Sequence, residues 1–84
     1  MITGSQMRAA RAVLRWSLED LARESGVSMS TIRRAEADEG TLTVTVPNQR
    51  AIRTAFQSAG IEFIGTPDDG PGIRIRPPKQ QDPQ

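Results

Sequence analysis

The sequence predicts a mainly α-helical domain of four to five helices that ends in a β-hairpin. Three observations predict it. Residues 17–36, SLEDLARESGVSMSTIRRAE, read as helix, tight glycine turn, helix. Apolar residues recur at helical spacing on both sides of that stretch, through residue 60. From Ile61 the period drops to two: Ile61 and Phe63 alternate with Glu62, and Ile73 and Ile75 alternate with Arg74 and Arg76.

Thr3 is the expected N-cap of the first helix, with Gln6 placed three residues on to close a capping box. Met7, Ala10, Val13 and Leu14 form its expected inner face, and Arg8, Arg11 and Arg15 take the other faces. The helix should end near Trp16. Ser17 caps the second helix with Asp20 in the box position, and Trp16 and Leu21 stand where a hydrophobic staple places its two members. Leu21 and Ala22 should face inward, and Ala22 is small enough to let the next helix cross closely. Gly26 ends this helix in the left-handed conformation. Val27 plugs the turn and Ser28 caps a third helix. Its inward residues are Ile32 and Ala35, and its outward residues are Met29, Ser30, Arg33 and, to one side, Arg34. Asp38, Glu39 and Gly40 stop it. The alternating run TLTVTV suggests a strand taken alone, and the expectation here is an extended loop with Leu42 tucked inward. Pro47 fits the first turn of a fourth helix, whose inner stripe is Ile52, Ala55, Phe56 and Ala59 and which Gly60 ends. The segment TPDDGPG is dense in turn formers and joins the two strands of the hairpin. A lone two-stranded hairpin is marginal in water, so its apolar face must rest on the helices or on another subunit. The expected division is residues 1–60 for the helical domain, 61–76 for the hairpin and 77–84 for a disordered tail.

Eighty-four residues make one small domain with a modest core. Cys, His and Tyr are all absent. That removes disulfides, thiolate and imidazole metal ligands, and every common general base except carboxylates. With no nucleophile–base set, no metal cluster and no phosphate loop, the expectation is a protein that is not an enzyme and uses no cofactor. No apolar run approaches membrane-span length and no leader opens the chain, so a soluble, cytoplasmic protein is expected. The formal charge of +1 is unevenly spread. Residues 1–16 carry three Arg and no acid, and residues 41–60 carry Arg50 and Arg53 and no acid. Residues 17–40 carry three cations (Arg23, Arg33, Arg34) against six anions (Glu19, Asp20, Glu24, Glu36, Asp38, Glu39).

The pattern R-x-A-R, then S-L-E-D-L-A, then G-V-S-x-S-T-I-x-R-x-E, resembles the Xre/lambda-repressor-like helix-turn-helix family over roughly residues 4–60. The resemblance implies four or five helices around one core, with the third as recognition helix. Members of that family mostly regulate transcription by binding operators, often as two-fold dimers. Arg11 and Glu36 match family positions that commonly form an internal ion pair. Three positions depart from the family pattern. Leu18 stands where a Gln usually touches DNA phosphate and braces the recognition helix. Met29 stands where Gln or Arg usually reads a base edge. Asp38 and Glu39 place acids next to where phosphates would run.

Two readings of function follow. In the first, Met29, Ser30, Arg33 and Arg34, bordered by Leu18, form a face that grips another transcriptional regulator, and the protein acts as an antiactivator or co-regulator. Met is adaptable, and Met and Arg are both enriched at protein interfaces. In the alternative, Ser28, Ser30, Thr31, Arg33 and Arg34 contact operator DNA, and the C-terminal hairpin makes a homodimer that reads two half-sites. Leu18 is open to a third use, as a core residue one turn before Ala22. An antitoxin-like protein that binds both DNA and a toxin is compatible with the same features.

Overall fold

The computed structural model describes residues 2–37 and 44–76. Four helices, α1 (Gly4–Leu14), α2 (Leu18–Ser25), α3 (Met29–Ala37) and α4 (Val46–Ser58), precede the antiparallel strands β1 (Ile61–Thr66) and β2 (Asp69–Ile75). The expected positions of Asp38, Glu39, Gly40 and Leu42, and of the tail, lie outside the described residues.

The helix boundaries follow from capping chemistry. Thr3 and Gln6 close a reciprocal box at the start of α1, and Ser17 and Asp20 close one at the start of α2. α1 stops at Leu14, slightly earlier than expected, because Arg15 turns left-handed at φ 59° and sends its N–H back to the Ala12 carbonyl. Gly26 ends α2 at φ 78°, where a residue without Cβ meets no steric penalty. The Ser28 hydroxyl accepts from the Thr31 N–H at 3.3 Å at the start of α3. Thr45 caps α4, with Pro47 in its first turn, where a missing N–H costs nothing.

The apolar stripes meet in one core. Met7, Leu21, Ile32, Ile52, Phe56 and Ile61 are its largest fully buried members. Val13 does not join it: it is 42% exposed, against the expectation from spacing. Six residues beyond Met7 it lies about 120° off the inward line, at ~100° per residue, whereas Leu14 returns to that line and packs on the core. Trp16 stacks on Phe56 with ring centroids 5.6 Å apart, and Phe56 meets Phe63 edge-on at 5.7 Å. This aromatic row joins the α1–α2 junction, α4 and β1, so Trp16 is packing.

The hairpin rests on the helices of its own chain. Ile61 and Phe63 are buried, Ile73 packs against the same core, β1 lies against α4 and β2 against α1. The turn is tighter than the run of turn formers suggests, because Asp69, Gly70, Pro71 and Gly72 belong to β2. A bulge at Gly65 absorbs the register shift. Gly65 sits at φ 77°, and an added Cβ would stand 2.2 Å from the Gly70 carbonyl oxygen, so only glycine fits.

One side chain ties this hairpin to the start of the chain. Gln6 is buried; its Oε1 accepts from the Thr3 N–H at 2.8 Å, while its Nε2 donates to the Ile64 carbonyl at 3.1 Å and the Gly72 carbonyl at 2.7 Å. A single amide therefore caps α1 and holds both strands. Gln6→Glu keeps the acceptor for Thr3 but sets a carboxylate against two carbonyl oxygens. It should lower unfolding stability by about 1–3 kcal/mol in urea titrations and speed amide exchange in the hairpin ahead of α2 and α3. Unchanged hairpin exchange would mean that the amide does not hold the strands.

Candidate functional site

The pose of α3 is set by α1. The Arg11 Nε donates to Glu36 Oε2 at 2.6 Å and its Nη2 to Oε1 at 2.9 Å, a two-pronged pair of the kind a planar guanidinium makes best. The remaining Arg11 Nη1 donates to the Trp16 carbonyl at 2.9 Å. One guanidinium thus joins the end of α1, the entry to α2 and the last turn of α3. Glu36 is buried and holds the Arg11 pKa above its ordinary value, chiefly through this hydrogen bond. Arg8 adds a second tie, donating to the Glu36 backbone carbonyl. With Ile32 and Ala35 buried on the inward side, rotation of α3 about its axis is fixed and the opposite face is turned to solvent.

That face carries the residues singled out in the sequence. Met29 is 39% exposed, and Ser30, Arg33 and Arg34 are exposed beside it. Among the described residues, neither Arg33 nor Arg34 has an ion pair or a side-chain hydrogen bond, whereas most cations elsewhere are engaged. The hydroxyls are less available. Ser28 Oγ donates to Thr31 Oγ1 at 2.9 Å and lies 3.4 Å from Ser30 Oγ, so these three side chains cap and brace the start of the helix. Leu18 is half-buried and packs against the core, which makes it a structural residue with only a rim of exposed surface. The exposed side of α2 is acidic. Glu19 and Glu24 are exposed, and Asp20 is bonded to the Ser17 N–H and to Arg23 at 2.7 Å. The Ser17 N–H first, and then Arg23, hold the Asp20 carboxyl below its ordinary value, so it stays ionised at neutral pH.

A family model described as helix-turn-helix matches residues 7–46, from the inward side of α1 to the first residue of α4. The matched span contains the Arg11–Glu36 pair and the α2–turn–α3 unit.

Over residues 7–46 the chain matches the helix-turn-helix family of Xre/lambda-repressor type.

No curated protein matches the chain. α2 and α3 are the two helices of the matched motif, with α3 at the recognition position, and the match supports a helix-turn-helix regulator. The hairpin lies outside the matched span and supplements the domain with packing from β1 and β2. Among the described residues no group of three His, Cys, Asp or Glu could hold a metal ion, and no helix is long and apolar enough to cross a membrane.

Sequence spacing located the α3 face, and the family resemblance pointed to the Arg11–Glu36 pair that fixes it; the further tie to the Trp16 carbonyl was not legible. Of the hydroxyl brace among Ser28, Ser30 and Thr31, only the capping role of Ser28 was anticipated. The bond from Arg11 to the Trp16 carbonyl joins a side chain to a backbone atom whose direction depends on the left-handed turn at Arg15. Arg11→Ala leaves the buried Glu36 carboxylate without its partner. It should cost about 2–4 kcal/mol in thermal or urea unfolding, near the lower part of the range for broken buried pairs because Arg11 is partly solvated. The double variant Arg11→Met/Glu36→Leu should recover most of that loss; no recovery would assign the loss to the Trp16 contact.

Proposed function

We propose that this regulator works by seating its α3 face on another regulatory protein, occluding the surface that protein uses on DNA or on polymerase. The observation that carries this reading is the composition of the one face that Arg11 and Glu36 hold outward: an accessible thioether at Met29 with two unpaired guanidiniums, Arg33 and Arg34, flanked by the acidic side of α2. Bidentate reading of a base edge needs an amide or guanidinium, and at the leading position of this helix a thioether offers little beyond contact with a thymine methyl. Gripping phosphate at the start of α2 needs a polar side chain, and Leu18 is packed on the core instead. A protein groove accepts the same set well: Met fills an irregular apolar pocket, and Arg pairs with carboxylates at the rim. The partner is thus expected to offer an apolar pocket edged with acids.

The family match favours a second reading, in which Ser30, Thr31, Arg33 and Arg34 contact operator DNA. Its support is the free state of Arg33 and Arg34, and two such cations would give phosphate contacts with a salt dependence of about one unit of log K per charge neutralised.

Titration with random-sequence duplex DNA at low and moderate salt separates the two. The protein-partner reading expects no salt-sensitive binding, and it expects Met29→Glu to abolish regulation in cells while the melting temperature stays unchanged. Binding that falls steeply with salt, together with normal regulation by Met29→Glu, would establish the operator reading in its place.

A further inference from the structure

The outer strand of the hairpin is an open sheet edge. Antiparallel ladders alternate pairs that exchange two backbone hydrogen bonds with pairs that exchange none. The Arg76 N–H donates to the Gly60 carbonyl at 2.7 Å, and the register then places the bonded pairs at Glu62/Arg74 and Ile64/Gly72. Ile61/Ile75 and Phe63/Ile73 are the non-bonded pairs. The N–H and C=O of Ile73 and Ile75 therefore point away from β1, and among the described residues neither takes a partner outside the ladder. The two sides of the sheet differ. β1 lies against α4 with Ile61 and Phe63 buried, and β2 lies against α1 with Ile73 half-buried, whereas beyond Ile73 the residues Arg74, Ile75 and Arg76 are exposed, Ile75 at 63%.

The charge on that edge is positive. Arg74 and Arg76 both bond to Glu62, at 3.3 Å and 2.6 Å, so one carboxylate is shared by two guanidiniums and a positive charge is left over. Arg76 first, and then Arg74, hold the Glu62 carboxyl below its ordinary value, which keeps this balance through neutral pH. A row of unpaired amides and carbonyls, one large exposed aliphatic side chain and flanking cations make a template for an added strand.

We infer that the β2 edge at Ile73 and Ile75 binds an extended acidic segment of a partner protein as a third strand of the sheet. Alternating carboxylates on that segment meet Arg74 and Arg76, and a β-branched residue between them covers Ile75. A second copy of the chain is a poorer occupant: antiparallel pairing of β2 with itself about Arg74 or Ile75 sets guanidiniums opposite one another, which is destabilising, and pairing about Ile73 sets Arg74 and Arg76 opposite Gly72 and Gly70, where no carboxylate meets them. Nucleic acid could neutralise the arginines but has no alternating N–H and C=O groups to complete the ladder. The inference goes beyond the α3 reading and does not depend on it.

The test uses the full chain, labelled with ¹⁵N, and a blocked octapeptide of alternating Glu and Val as probe, with an alternating Lys and Val peptide as control. Saturable shifts and slowed exchange at the Ile73 and Ile75 amides are expected with the Glu peptide, weakening several-fold as salt rises, with α3 resonances unmoved. Ile75→Pro removes an outward N–H without breaking any bond to β1 and should abolish the response. Arg74→Glu leaves the Arg76–Glu62 bond in place and should turn the preference toward the Lys peptide. No shift at millimolar Glu peptide, an equal response to both peptides, or protection of these amides that depends on protein concentration alone would overturn the proposal, the last by showing a second copy on the edge.

Discussion

A single guanidinium governs how this small domain shows itself to the outside. Arg11 spends its donors on the buried Glu36 carboxylate and on the Trp16 carbonyl, so three helices answer to one side chain. The arrangement suits an 84-residue chain. A domain of this size has little apolar area to spare, and short helices of eight and nine residues are not stable alone. α2 and α3 exist because capping boxes, the aromatic row from Trp16 to Phe63 and the Arg11 pair hold them, not because their sequences are strong helix formers. The pair also carries a directional consequence. Since Glu36 sits in the last turn of α3 and points inward with Ile32 and Ala35, the residues on the far side of that helix have no alternative to solvent.

What solvent meets there is an unusual mixture for a reading helix. The thioether of Met29 leads, two arginines follow without partners, and carboxylates line the neighbouring helix. At two other places on the surface opposite charges are matched locally, in Asp20–Arg23 and in Glu62 with Arg74 and Arg76. Surface pairs like these add little to stability, but they show which cations are already occupied. Arg33 and Arg34 lack such a match, as do Arg15 and Arg50, but Arg33 and Arg34 share the exposed α3 face with Met29, which is why that face is the natural place to look for a partner. The hairpin presents a different chemistry, backbone groups in place of side chains, and it is tied to the helices by Gln6 instead of by charge.

Most of the fold was legible in the residues because its signals are local. Capping boxes at Thr3/Gln6 and Ser17/Asp20, the glycine stop at Gly26 and the change of period at Ile61 each act within a few positions. The errors were also local. Val13 was counted on the inner face of α1 because it is apolar and next to Leu14, although the helical angle turns it outward. The turn of the hairpin was read too wide because Gly70, Pro71 and Gly72 are turn formers by habit, while here they continue an exposed edge strand. The long-range contacts could not be read in the same way. That Gln6 would reach Ile64 and Gly72, residues some sixty positions away, depends on the hairpin folding back across α1, and no pattern near Gln6 encodes it. The outward residues of α3 were legible from spacing, whereas the half-burial of Leu18 required the core to be assembled first.

The account stands or falls on what touches position 29. A photo-crosslinking side chain placed there in the full-length protein, activated in living cells, forms a covalent bond to whatever lies within reach. The account predicts an adduct that protease digests and nuclease leaves intact, lost when Arg33 and Arg34 are both replaced by Glu. An adduct that nuclease removes and protease does not would put the α3 face on DNA and contradict it.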